Sequence, residues 1–276
     1  MALDGLTRQQ GFALIFEMDS ARYLLRHGDD VLRTTKYIDL TIDAILTTLS
    51  IGVEKLLKLA LGLGEVADGK GWPDKRTMQK GFGHGTLEMD AKLRARLREG
   101  IELKPYARTI LAEVDADPVW PALLAALDAY GQSGRFYNLD TLAMSPQQFE
   151  NPRHLWDAIE QIALANDPKL AQMQQDVFDD LTNPQKMDDY EHALLVVIAN
   201  SLRRWWRMVA ILAKRRGRVT ALRWTPTRRS HCTRCDMPNA PRSAPGASQV
   251  ATVRRLRALD KSSDATPCSR RQSAAP

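Results

Sequence analysis

The chain has 276 residues, 44% of them hydrophobic and 26% charged, enough for one large domain or two small ones around a substantial core. It contains no run of about 18 uncharged apolar residues, and the opening MALDGLTRQQGF holds an acid and no long apolar segment; neither a membrane span nor a secretory signal is expected, and a cytoplasmic location is. The net charge of +6 conceals two regions: 15 basic and 3 acidic residues from position 214 onward give +12, whereas the 24 basic and 30 acidic residues before it give −6.

Phe12, Leu14, Ile15, Met18, Tyr23, Leu24, Leu25, Val31 and Leu32 recur at helical spacing and predict a first helix over 8–33. A second, long helix is predicted over 36–62, with Ile45, Leu49, Val53, Leu56, Leu57, Ala60 and Leu61 as its apolar stripe. Thr47, Ile51, Glu54 and Lys58 fall on its other side at steps of three or four. Glu54 and Lys58 are an i,i+4 pair in the favourable order, worth about 0.2–0.5 kcal/mol, so the charges within IGVEKLLKLALGLGE read first as the wet face of an amphipathic helix. Residues 62–86 break the rhythm with GLGEVADGKGWPDK and GFGHG, and Trp72-Pro73 cannot continue a helix. The glycines match neither phosphate-binding pattern, GxxxxGK[ST] or GxGxxG. Helical segments follow over 87–99 and 105–116.

Four dipeptides then mark helix starts: Asp117-Pro118, Asn151-Pro152, Asp167-Pro168 and Asn183-Pro184. Each sets a side-chain acceptor before a proline at the first helical position, where the missing N–H would have no intrahelical partner. Helices are expected near 118–130, 152–165, 168–181 and 184–216. The last carries Leu194, Leu195, Ile198, Leu202, Trp205, Trp206, Val209 and Leu212 together with Arg203, Arg204, Arg207, Lys214, Arg215 and Arg216, the cations lying toward the end that the helix dipole favours. Strand-like alternation is almost absent, so the fold class is all-α, an up-and-down helical bundle with additional C-terminal helices. Beyond about Gly217 the chain is rich in Arg, Ser, Pro and Ala; residues 217–276 are expected to be a disordered basic tail, an extension or frameshift product attached to a helical domain of residues 1–216.

Few residues suggest chemistry. His231, Cys232 and Cys235 supply half of a zinc-site pattern, and Cys268 is too remote to complete it; no metal or cofactor is expected. His84 sits in the glycine-rich loop just before a helix, where an imidazole suits phosphate contact or a turn cap. Arg135 follows a helix end beside Phe136 and Tyr137, a grouping suited to phosphate or to base stacking, and equally to pinning a loop. Arg22 and His27, five apart on the first helix, lie well off one face.

Three stretches in this order, IGVEKLLKLALGLG, GHGTLEMDAKL and AYGQSGRFYNLD, resemble the HEPN superfamily of small helical bundles. Its members show an A-x-E-K-x-L-K helix, a histidine-containing loop leading into a leucine-patterned helix, and an Arg-Tyr-type motif ending a later helix. Glu54, Lys55 and Lys58 fall on the first element, His84 and Leu87 on the second, and Arg135 with Phe136 and Tyr137 on the third. SARYLLRHGDDVLRTTKY fits the opening helix, and the likeness covers residues 15–140, leaving 141–216 as added helices. The resemblance implies a homodimer in a bacterial defence, abortive-infection or toxin–antitoxin system. Many such proteins are metal-independent endoribonucleases with an Arg-x4–6-His motif paired across the dimer, histidine moving the proton of the ribose 2′-OH and arginine stabilising the phosphorane. Others lack the motif and bind. Here no histidine follows Arg135 at four to six residues, and Arg22 with His27 has the spacing in a different helix. The expectation is a binding module for RNA, a nucleotide or a partner protein, with Glu54, Lys55, Lys58, His84, Arg135 and Tyr137 lining a cleft. The alternatives are an endoribonuclease using Arg22 and His27, or His84 with Arg135, and a helical scaffold whose basic tail binds nucleic acid non-specifically.

Overall fold

The structure, a computed structural model, describes residues 5–99 and 105–215. Among them are nine α-helices and no strand: α1 (Arg8–Thr34), α2 (Ile38–Ala67), α3 (Thr86–Glu99), α4 (Pro105–Asp115), α5 (Val119–Gln132), α6 (Tyr137–Leu142), α7 (Pro152–Asn166), α8 (Pro168–Asp179) and α9 (Pro184–Arg215). The fold is an all-α bundle, and no helix among the described residues is long and apolar enough to cross a membrane. The predicted tail 217–276, with His231, Cys232, Cys235 and Cys268, lies outside the described residues.

The proline-marked starts are capped as their chemistry requires. Asn151 accepts from Arg153 N at 2.9 Å, Asp167 from Lys169 N at 2.9 Å, Asn183 from Gln185 N at 3.1 Å, and Asp117 from Val119 N at 3.0 Å. At α1, Thr7 and Gln10 form a reciprocal capping box. The second helix runs to Ala67 rather than 62. Gly62 and Gly64 continue it because both are buried, under the ring of Trp72 and the guanidinium of Arg96, and this packing offsets their poor helix propensity. The structure also adds a π-turn at Thr77–Gly81, a 3-10 turn at Gly134–Phe136 and the short α6, none of which has a periodic apolar signature.

α1 and α2 pack antiparallel: Lys55 reaches back to Glu17 and Ser20, and Gly52 lies against Leu24 and Leu25. Their closest approach is at Gly28, where a Cβ would stand 2.3 Å from Leu49 Cδ2 and 2.6 Å from its Cγ. The apolar stripe of α2 is sealed as its spacing predicts, with Ile45, Leu49, Val53, Leu56, Leu57 and Leu61 buried. On α1 the apolar residues divide: Leu14, Met18, Leu25 and Leu32 are in the core, while Ile15 is exposed on a flank and Phe12 and Tyr23 on the opposite side.

α9 crosses α1, α4, α5, α7 and α8 and gathers the polar interior. Arg203 donates to buried Asp29 of α1, which Arg33 also contacts at 3.2 Å. Arg204 meets Asp117, the acid that caps α5, at 2.6 Å. Trp205 stacks on Trp120 with ring centroids 4.5 Å apart, and its indole N–H donates to buried Asp90 of α3 at 2.7 Å. Arg207 lies over the ring of Tyr106. Arg203, Arg204 and Arg207 therefore serve the fold, beyond any interaction with the helix dipole.

Two measurements test this packing. Gly28→Ala should lower stability by about 1–3 kcal/mol, read from the urea midpoint, because buried Leu49 must move to admit a methyl group. Burial pushes the Asp90 carboxyl above its ordinary range, against the opposing pull of Arg94 and the Trp205 N–H. An unfolded aspartate titrates near about 3.9, so the folded chain holds this proton more tightly. That contribution to stability is complete below about pH 4 and is lost as pH rises through the raised folded value. Asp90→Asn keeps an acceptor for Trp205 and should flatten the decline in urea midpoint above about pH 4. A variant that tracks the wild type at every pH would show that Asp90 does not cause it.

Candidate functional site

The solvent side of α2 carries Glu54 and Lys58, one turn apart and linked at 2.7 Å. The same Glu54 oxygen lies 2.9 Å from His84 Nδ1, so three sequence-predicted residues form one polar group. Lys55 does not join them: it points to α1 and binds Glu17 at 2.8 Å.

The loop between α2 and α3 presents His84 from a fixed base. Trp72 lies against Gly62, and Phe82 packs on the core. Asp74 accepts from Thr77 N at 2.7 Å, a bond that holds its carboxyl below the usual range. Lys92 donates to the Gly81 carbonyl at 3.0 Å. Gly83 then adopts φ of +65°, a conformation that favours glycine, and turns the chain into His84. Immediately beyond, Asp128 of α5 caps the start of α3 from across the bundle, accepting from Thr86 Oγ1 at 3.1 Å and Leu87 N at 3.2 Å. Gln132 donates to its other oxygen at 2.7 Å.

The imidazole of His84 is 71% exposed. When Nδ1–H is donated to Glu54, Nε2 presents its lone pair, able to accept a proton or a hydrogen bond. The protonated ring is instead a cation held by a carboxylate. The same loop carries Lys75, Arg76 and Lys80, all exposed and in no ion pair among the described residues. Neighbouring charges are occupied: Lys70 pairs with Glu65 at 2.9 Å, and Arg96 bridges Glu65 and Asp68. Hydrogen bonds from Lys70 and Arg96 hold Glu65 below the usual carboxylate range.

Arg135 and Tyr137 share no hydrogen bond or ion pair with this group. The Arg135 guanidinium lies 5.0 Å from the centroid of the Phe136 ring, in the 3-10 turn after α5, and Tyr137 opens α6. The neighbouring Tyr130 hydroxyl is 3.1 Å from Thr47 Oγ1, and Thr47 precedes Glu54 by two turns, about 10 Å along α2. Burial raises the Tyr130 phenol above its ordinary range.

Arg22 and His27 lie on one uninterrupted helix, about 140° apart around its axis, so they do not meet within a chain. His27 is exposed; the Arg22 Nε is shielded from water and has no hydrogen-bond partner. No group of three or more metal-ligating side chains occurs among the described residues. Asp128 was invisible in the sequence because it acts on a loop more than 40 residues away. The loop cations were visible, as three basic residues in a glycine-rich segment, but nothing local marked them as unpaired.

Comparison with protein-family models, with curated proteins and with solved structures finds no match to this chain.

Asp128→Ala should destabilise the chain by about 1–3 kcal/mol and speed hydrogen exchange at the Leu87 amide, since the donors at the start of α3 are left without their acceptor. Unchanged exchange at Leu87 would mean that Asp128 does not hold the start of α3.

Proposed function

We propose that this chain is a HEPN-like binding module that takes up the phosphates of RNA or a nucleotide on the face formed by α2 and the loop before α3. One observation carries the reading: Lys75, Arg76 and Lys80 are exposed and in no ion pair among the described residues, on the same loop as His84, a loop anchored at several points in a body whose residues 1–213 are net acidic. Cations left unpaired on an ordered loop attract phosphate at small conformational cost. Lys58, shared with Glu54, lies beside the histidine, and Arg135 with Phe136 offers a stacking surface. The resemblance places such a module in a bacterial defence or toxin–antitoxin setting, with a partner protein as the other class of ligand.

A second reading, a metal-independent endoribonuclease, is favoured by the Glu54–His84 contact, because a carboxylate on Nδ1 orients an imidazole for proton transfer at Nε2. In that reading His84 takes the 2′-OH proton. Cleavage of RNA in excess chelator, abolished by His84→Ala, distinguishes it from binding alone.

The binding reading is tested with the full chain and a labelled single-stranded RNA, by fluorescence anisotropy across a salt series. Replacing Lys75, Arg76 and Lys80 together by alanine should weaken binding at least about tenfold at low salt. It should also reduce the slope of log K against log salt by about 2, near 0.7 for each phosphate that is no longer neutralised. Unaltered affinity and slope would sink the reading and assign any binding to other cations, those of residues 214–276 first.

A further inference from the structure

His84 meets Glu54 through Nδ1 at 2.9 Å, and the ring is otherwise open, 71% exposed against 23% for the Glu54 side chain. An ionised carboxylate can only accept hydrogen bonds. The hydrogen of the neutral imidazole is therefore fixed on Nδ1, and Nε2 carries the lone pair. A histidine with no such neighbour exchanges tautomers and can offer an N–H at either nitrogen. Here the neutral ring meets an incoming phosphate oxygen lone pair to lone pair, which repels it.

The charged groups around the ring are otherwise committed. On α2, Glu54 uses the same oxygen to hold Lys58 at 2.7 Å. On α3, Glu88 pairs with Lys92 at 2.7 Å, and Lys92 also donates to the Gly81 carbonyl. On α5, Asp128 accepts from Thr86, Leu87 and Gln132, and on the loop itself Asp74 accepts from Thr77. Lys75, Arg76 and Lys80 complete the set, in no ion pair among the described residues. Of these side-chain types only imidazole changes charge between about pH 5 and 8.

We infer, on the ligand reading of the α2–α3 face, that this face takes up a proton together with a phosphate: His84 joins the site only as imidazolium, donating Nε2–H to a phosphate oxygen while Nδ1–H stays on Glu54. The proton comes from water, and the N–H it forms is the only new covalent bond. The bond to Glu54 survives protonation, so the ring keeps its place and only Nε2 changes, from acceptor to donor. Binding and protonation then strengthen each other by the same factor. The endoribonuclease reading makes the opposite demand on the same atom, because a general base needs its lone pair free. Acidification therefore strengthens binding and slows cleavage, and the direction of the pH dependence separates the two roles of His84.

The full chain is titrated from pH 8 to 5.5 against a single-stranded oligouridylate with a 5′-hydroxyl end and a pH-insensitive dye. Neither its bases nor its phosphodiesters change charge in that range. Affinity should rise about three- to fivefold on acidification, the size that one exposed charge-assisted contact supplies. The slope of log K against log salt should steepen by up to about 0.7. His84→Gln keeps a donor for Glu54 but takes up no proton, and should hold the affinity near its pH 8 value throughout. In the free chain at pH 8, nitrogen NMR of the imidazole, assigned by its loss in His84→Gln, should show a hydrogen on Nδ1 and none on Nε2. A ring with its hydrogen on Nε2, an affinity that does not vary with pH, or a rise that His84→Gln retains would each overturn the inference and leave the ligand reading standing. RNA bound at no pH in this range would overturn the ligand reading itself, and the proton coupling with it.

Discussion

Burying Asp29, Asp90 and Asp117 beneath α9 removes three carboxylates from water, and the helix can sit there only if each finds a donor. α9 supplies one for every acid within three residues: Arg203 for Asp29, Arg204 for Asp117 and Trp205 for Asp90. Because the acids belong to α1, to the start of α5 and to α3, this short segment fixes the rotation of α9 against three other helices at once. Hydrophobic burial alone would tolerate a range of rotations. A misplaced carboxylate does not, since leaving one unpaired in the interior is far more costly than shifting a leucine. Trp205 shows both demands on one side chain, its ring stacked on Trp120 and its N–H given to Asp90.

The placement of the candidate site follows from that framework. α5 is held at its N-terminal end by Asp117 and Arg204, and at its other end it offers Asp128 to the start of α3. The loop before α3 is thereby suspended between α2, through Trp72 and His84, and α5, through Asp128. A connection of this length without such anchors would have to be ordered on binding, at a conformational cost that weakens the complex. Glu54 has a double part in this arrangement. It forms the i,i+4 pair with Lys58 that any solvated helix face can contain, and it also holds the histidine of a loop 30 residues away.

What could be read from the sequence divides along the range of the interactions. The starts of α7, α8 and α9 were legible because Asn151, Asp167 and Asn183 act on N–H groups two or three residues away. The buried stripe of α2 was legible because its period is a property of one helix. α1 was legible as a helix but not as a two-faced one, since Phe12 and Tyr23 recur at the same spacing as the apolar residues that enter the core. The part played by the arginines of α9 was hidden for a related reason: their partners are between 87 and 174 residues away, and only packing reveals them. Of the site, Glu54 and His84 are 30 residues apart and only the fold shows their contact, while Lys55, next to Glu54 in sequence, turns to Glu17. Arg135 was grouped with them by sequence order, and the contact it makes is with the neighbouring Phe136 ring.

These differences sharpen how charge indicates function in a chain with so many ionisable groups. Most arginines and acids of the bundle are engaged with one another, and a charge already engaged can bind a ligand only by giving up its partner. The informative residues are those that the fold leaves unpaired. On the loop before α3 they are all basic, with no intervening acid to neutralise them except Asp74, which is occupied by the backbone of the turn. A one-signed group of this kind calls for a ligand of opposite charge. The sign pattern of the unpaired residues on this loop, rather than their number, therefore marks it as a surface suited to phosphate.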